Sequence, residues 1–200
     1  MRTNRLEAFS DGVLAIIITI MVLELRVPDG PTLHDLADSR TSFLTYLLSF
    51  IYIGIYWNNH HHMFQLVRHV NGLVLWANLH LLFWLSLYPF TTAWMDETGL
   101  ARTPVVVYGA NLLGAAIAYY LLQQAIFRAE GHGGLLRAAV GRDLKGKLSP
   151  LIYLTGIASA FLLEELALVF YAAVAVIWLV PDRRMEHYID ANKEPPTLRP

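Results

Sequence analysis

Three long stretches of this chain contain no Asp, Glu, Lys or Arg: Thr41 to Val67, Val70 to Met95 and Thr103 to Phe127. A helix needs roughly 20 mostly apolar residues to cross a hydrocarbon core of about 30 Å, so each stretch is long enough to span a bilayer even when tilted. Composition agrees, since 56% of the residues are hydrophobic and only 16% are charged, with a mean hydropathy of +0.43. That is too oily for a water-soluble globule of this length and places the chain among membrane proteins. The chain has no cysteine. Disulfides, thiol nucleophiles and Cys-ligated metal sites are thereby excluded. Nothing in the charge pattern points to nucleic acid as a partner.

Two further regions are apolar but interrupted. Gly12 to Leu23 is free of charge, with Arg5, Glu7 and Asp11 before it and Glu24 and Arg26 after it. No A-x-A-like cleavage site follows, so it reads as a retained helix rather than a signal peptide. Extended through Phe9 and Val27 it becomes a full-length crossing whose ionisable groups must face protein or water, because each costs on the order of 2.5 to 3.5 kcal/mol at a bilayer centre. The last region, Leu148 to Val180, is split by Glu164 and Glu165, which leaves either one long helix or two short ones. The positive-inside rule decides between them. The loop with Arg128, Arg137, Arg142, Lys145 and Lys147 and the tail with Arg183 and Arg184 should share a side, so an even number of crossings separates them.

The fold class expected is therefore all-α, a polytopic membrane protein with six transmembrane helices, near 5–27, 41–63, 70–94, 103–127, 148–163 and 166–181. They form one domain over 1–181, followed by a polar, Pro-rich tail over 182–200. Both termini are expected in the cytoplasm. In that arrangement only Arg26, Arg40 and Arg102 of the 15 basic residues lie outside.

Polar chemistry concentrates at the start of the first helix, where Arg5, Phe9, Ser10 and Asp11 lie within two turns. One reading is a boundary anchor in which Arg5 snorkels while Ser10 and Asp11 cap the helix. The other is a buried network in which Asp11 finds Arg5 or a polar group on a neighbouring helix. The motif Arg-x-x-x-Phe-Ser-Asp opening the first of six helices resembles the transmembrane protein 175 family of potassium channels. The likeness runs on through Leu23-Glu24-Leu25-Arg26-Val27-Pro28, and more loosely to the histidine-bearing end of the second helix, Asn78 and Tyr88-Pro89-Phe90.

The resemblance implies a pore surrounded by the first helix of each subunit and narrowed by apolar rings with a threonine ring, here Ile16, Thr19, Ile20 and Leu23. It also implies four chains around one axis, as in prokaryotic members with one six-helix copy per chain. The permeant species would be potassium with other monovalent cations, in the plasma membrane beside lipid, with no cofactor. At 100° per residue these four positions fall within about 100° of arc, so one helix face holds them all. Ile and Leu at such spacing also suit any packed or lipid-facing helix.

The run His60-His61-His62 invites a metal, but consecutive helical residues point in different directions and cannot share one ion. Hydrogen bonding, including to the cluster at Arg5 to Asp11, is the expected role, and proton sensing is conceivable. No G-x-S-x-G, H-E-x-x-H or paired transmembrane aspartates support an enzyme. The remaining rivals are a secondary transporter, disfavoured by the lack of repeats, and a non-conducting membrane assembly protein.

Overall fold

A computed structural model of the 200-residue chain describes residues 3–131, 134–140 and 143–179. The expected tail over 182–200 and the basic residues Arg2, Arg142, Arg183 and Arg184 lie outside the described residues. Every regular element among those described is an α-helix: α1 (Thr3–Leu23), α2 (Leu33–Asp38), α3 (Arg40–Gln65), α4 (Gly72–Ser86), α5 (Tyr88–Glu97), α6 (Arg102–Glu130), α7 (Leu135–Val140), α8 (Leu144–Ser159) and α9 (Glu164–Leu179). Among the described residues, three spans are fit by length and composition to cross a membrane: α1, α4 with α5 taken through Gly72–Glu97, and α6. Helix α3 has 26 residues, about 39 Å of rise at 1.5 Å per residue, although Asn58 to His62 make its last turns polar.

Contacts between segment ends sort the chain into two ends. At one, Thr3 Oγ1 donates to the Val67 carbonyl, Glu7 meets His61, and the Arg68 amide donates to Glu130 at 2.6 Å. At the other, Arg26 pairs with Glu97 at 3.0 Å, Ser42 donates to Asp96 at 2.7 Å, and Arg102 pairs with Glu164 at 3.1 Å. Arg5, Arg68 and Arg128 belong to the first end. At the second, Arg26 and Arg102 are each neutralised by a carboxylate. This alternation is what six antiparallel passes produce, with α4 and α5 acting as one.

The helices depart from the expected bounds in ways the local sequence explains. Helix α1 ends at Leu23 rather than near Val27, so Glu24 and Arg26 leave the helix before Pro28 and reach the polar end instead of sitting in a buried turn. The third pass breaks at Leu87, because Pro89 in the first turn of α5 has no N–H for the ladder. Thr91 Oγ1 and the Thr91 amide both donate to the Leu87 carbonyl at 3.0 Å at the start of α5. The last hairpin turns over 160–163, and Glu164 and Glu165 form the first turn of α9, where the helix dipole favours carboxylates. The short α2 is closed by a capping box between Thr32 and Asp35. Those Thr32 hydrogen bonds hold the Asp35 carboxyl below its ordinary range.

Lipid gives apolar helices little reason to associate, so small residues and interhelical hydrogen bonds hold such bundles. Both are present. Tyr52 donates to the Tyr171 carbonyl at 2.6 Å and accepts from Tyr153 at 3.2 Å. Ser49 lies 2.7 Å from Thr92 and 3.0 Å from Tyr108. Tyr171 itself is fully buried, its ring wedged against Gly109 of α6 and Gly156 of α8, where an added Cβ would meet ring atoms or the hydroxyl. Gly109→Leu is therefore expected to overpack this three-helix junction by about 1 to 3 kcal/mol. Thermal melting of the purified protein would register this as a loss of several degrees, and an unchanged midpoint would refute the packing account.

Candidate functional site

Helix α1 has two apolar faces with different fates. Leu6, Ser10, Leu14, Ile17 and Met21 are buried, recurring at helical spacing against α3, α4 and α5. The opposite face carries Phe9, Ile16, Thr19, Ile20 and Leu23, and nothing among the described residues covers it. Ile16 is 61% exposed and Leu23 is 77% exposed. The four residues expected to share a face thus do so, on the side turned away from the bundle. Thr19 donates its hydroxyl to the Ala15 carbonyl at 2.8 Å, so its polar hydrogen is satisfied within the helix. The oxygen keeps a lone pair for what lies outside.

The Arg5 to Asp11 cluster splits into separate roles. Ser10 is fully buried and donates to the Leu6 carbonyl at 2.9 Å while accepting from Asn78 Nδ2 at 3.0 Å. Asn78 Oδ1 lies 2.8 Å from His60 Nε2. With the amide nitrogen turned to Ser10, Asn78 Oδ1 must accept, so His60 is protonated on Nε2 and its buried Nδ1 has no partner among the described residues. Asp11 accepts from Trp57 Nε1 at 3.1 Å. Of the two kinds of partner expected for Asp11, the neighbouring helix supplies it, while Arg5 is exposed and forms no ion pair among the described residues. Phe9 is exposed as well. Glu7 contacts His61, whose other ring nitrogen lies 2.7 Å from Gln65, and the His61 ring stacks on Trp57.

Three helices are joined at this end by polar side chains: α1 through Glu7, Ser10 and Asp11, α3 through Trp57, His60 and His61, and α4 through Asn78. The adjacent histidines part as helical geometry requires, His60 toward Asn78 and His61 toward Glu7. No group of three or more His, Cys, Asp or Glu that could hold a metal occurs among the described residues. Trp57 and Glu7 are participants that motif reasoning did not single out. Asn78 had a signal, as an amide within a largely apolar helix, where burial without a partner is expensive.

At the opposite end of α1 a groove of about 500 Å3 runs between α1 and α5, with Ile20, Phe90 and Trp94 as its apolar walls and Glu24 and Glu97 at its rim. It adjoins the exposed face, so carboxylates flank one end of the apolar stripe.

The family model described as "Endosomal/lysosomal potassium channel TMEM175" matches residues 5–89, the part that contains α1, α3, α4 and the polar junction. A protein of a Chryseobacterium species named as a potassium channel is 53% identical over 96% of this chain and 100% of its own length. The fold is similar to the crystal structure of a lysosomal potassium-selective channel TMEM175 homolog from Chamaesiphon minutus, with a TM-score of 0.73 and 30% identity over 90% of this chain and 97% of that one. A chicken protein named as the endosomal/lysosomal proton channel TMEM175 is 36% identical over 36% of this chain and 17% of its own length.

Proposed function

Because the chain belongs to the TMEM175 family of membrane channels, we propose that it is a potassium-permeable cation channel whose constriction is formed by Ile16, Thr19, Ile20 and Leu23. The observation that carries this reading is the uncovered face of α1. A stripe of large apolar side chains beside a threonine, on a helix whose other face is fully packed, needs either lipid or copies of itself around an axis. Four copies would turn each position into a ring, and closed symmetry repeats one residue's chemistry at one depth.

Residues 1–181 would then form one six-pass domain with the basic end, both termini and the tail over 182–200 in the cytoplasm. The plasma membrane is the proposed location. An apolar ring offers no oxygen to replace an ion's hydration shell, so it conducts only when wide enough to stay wet and closes by dewetting. Selectivity follows from how cheaply the ion sheds water. Potassium is favoured over sodium, modestly. Glu24 at the outer rim raises the local cation concentration, while Glu97 there is paired with Arg26.

The test is flux from liposomes containing the purified protein under a set gradient, with potassium, sodium and protons compared in turn. Potassium flux is expected to exceed sodium flux by about tenfold or less, the range open to a filter without a coordinating cage. Well-folded protein that passes no cation at any tested pH or voltage would overturn the channel reading in favour of a transporter or a non-conducting assembly protein.

A further inference from the structure

The two ends of the bundle balance their cations differently. At one, Arg26 and Arg102 are each matched by a carboxylate. At the other, Glu7 meets His61, Glu130 accepts from the Arg68 amide, and Asp143 caps α8 by accepting from the Gly146 amide at 3.0 Å. Arg128, Arg137 and Lys147 at this second end are exposed and form no ion pair among the described residues.

Two of these cations flank one tight turn. Arg137 lies on α7, which is anchored to the bundle by buried Leu136, Ala139 and Val140, and its guanidinium sits 5.2 Å from the centre of the Phe127 ring. The Asp143 amide donates to the Val140 carbonyl at 3.4 Å, and the Lys147 amide to the Asp143 carbonyl at 3.2 Å. Arg137 and Lys147 are therefore each about one helical turn from the α7–α8 junction. Lys145 is between them in the chain, its Nζ 6.0 Å from the Trp178 ring. Two lysines in the first four residues of α8 oppose the positive end of its dipole. With Arg137 they leave a net positive patch, which an anion from outside the chain can balance.

The same helix face identifies the kind of anion. Leu144, Leu148 and Leu151 lie three residues before, one after and four after Lys147, and all three are exposed, so one face of α8 carries the lysine among leucines. A soluble anion makes no use of exposed leucines, whereas a phospholipid offers both an acidic headgroup and an acyl chain. We propose that the turn between α7 and α8 binds an anionic phospholipid, its headgroup phosphate between Arg137 and Lys147 and an acyl chain along Leu148 and Leu151. The site is independent of whether α1 lines a pore.

The probes are phosphatidylglycerol, phosphatidylcholine with the same acyl chains, and glycerol 3-phosphate, each titrated into the purified protein in nonionic detergent, with bound molecules counted by native mass spectrometry. Phosphatidylglycerol is expected to bind wild type saturably, about fivefold more weakly to Lys147→Gln and about thirtyfold more weakly to Arg137→Gln/Lys147→Gln, the loss anticipated per cation at a membrane surface. Exposed Lys147 makes no side-chain contact on which folding depends, and an unchanged melting midpoint is the control. Arg40→Gln, which removes an exposed cation from the opposite end, should bind like wild type. Phosphatidylcholine binding as tightly as phosphatidylglycerol would overturn the proposal by showing an apolar surface alone, and glycerol 3-phosphate binding as tightly would overturn it in favour of a soluble anion. Wild-type affinity in both Lys147 variants, or an equal loss in Arg40→Gln, would overturn the site itself.

Discussion

Ile16→Asn is expected to raise cation flux by about tenfold and to bring the potassium and sodium rates together. In the proposed four-chain assembly, four isoleucine side chains facing one another would leave water without partners, and the resulting dry gap would be the barrier to an ion. An asparagine at the same depth gives each subunit a donor and an acceptor, so water persists and the dehydration that separates the two ions is no longer demanded. A tenfold change corresponds to about 1.4 kcal/mol of barrier, a modest claim for removing an apolar ring. Ile16 is largely exposed within its own subunit, so the substitution should leave the bundle intact, and an unchanged melting midpoint is the control. Flux and ion preference identical to wild type in a folded variant would remove Ile16 from the permeation path.

The second large effect falls on stability. Asn78→Leu removes the link between Ser10 and His60, leaving His60 Nε2 and Ser10 without that partner in a buried site. Ser10 still reaches the Leu6 carbonyl, so the heavier loss is at His60, whose Nδ1 is already unpartnered. The expected cost is about 1 to 3 kcal/mol, and membrane hydrogen bonds often fall toward the lower figure. Ser10→Ala should cost less, and the double variant should cost less than the two singles combined, because both act on one link. Additive losses in thermal or denaturant unfolding would mean that Asn78 does not couple α1 to α3.

How far the sequence reached depended on whether the relevant property was local. Charge-free length located the passes that became α3 and α6, since burial in lipid acts on every residue of a span. The break at Leu87 was legible in Pro89, and the capping box of α2 in Thr32 and Asp35, but both were subordinate to the hydropathy of the longer stretch. The two faces of α1 were not separable by chemistry. Leu14, Ile17 and Met21 pack inward while Ile16, Ile20 and Leu23 face outward, and nothing in side-chain type distinguishes them. The partner of Asp11 was likewise set by tertiary placement, which brought Trp57 from α3 closer than Arg5 from its own helix.

The absence of cysteine from the chain makes the central claim directly testable. Single cysteines placed at Thr19, at Leu23 and, as a buried control, at Ile17 can be treated with a cationic thiosulfonate reagent while potassium flux from liposomes is recorded. The account predicts that Thr19→Cys and Leu23→Cys are blocked and that Ile17→Cys, on the packed face, is unaffected. Complete modification at Thr19 and Leu23 with potassium flux unchanged would contradict it and place the permeation path away from α1.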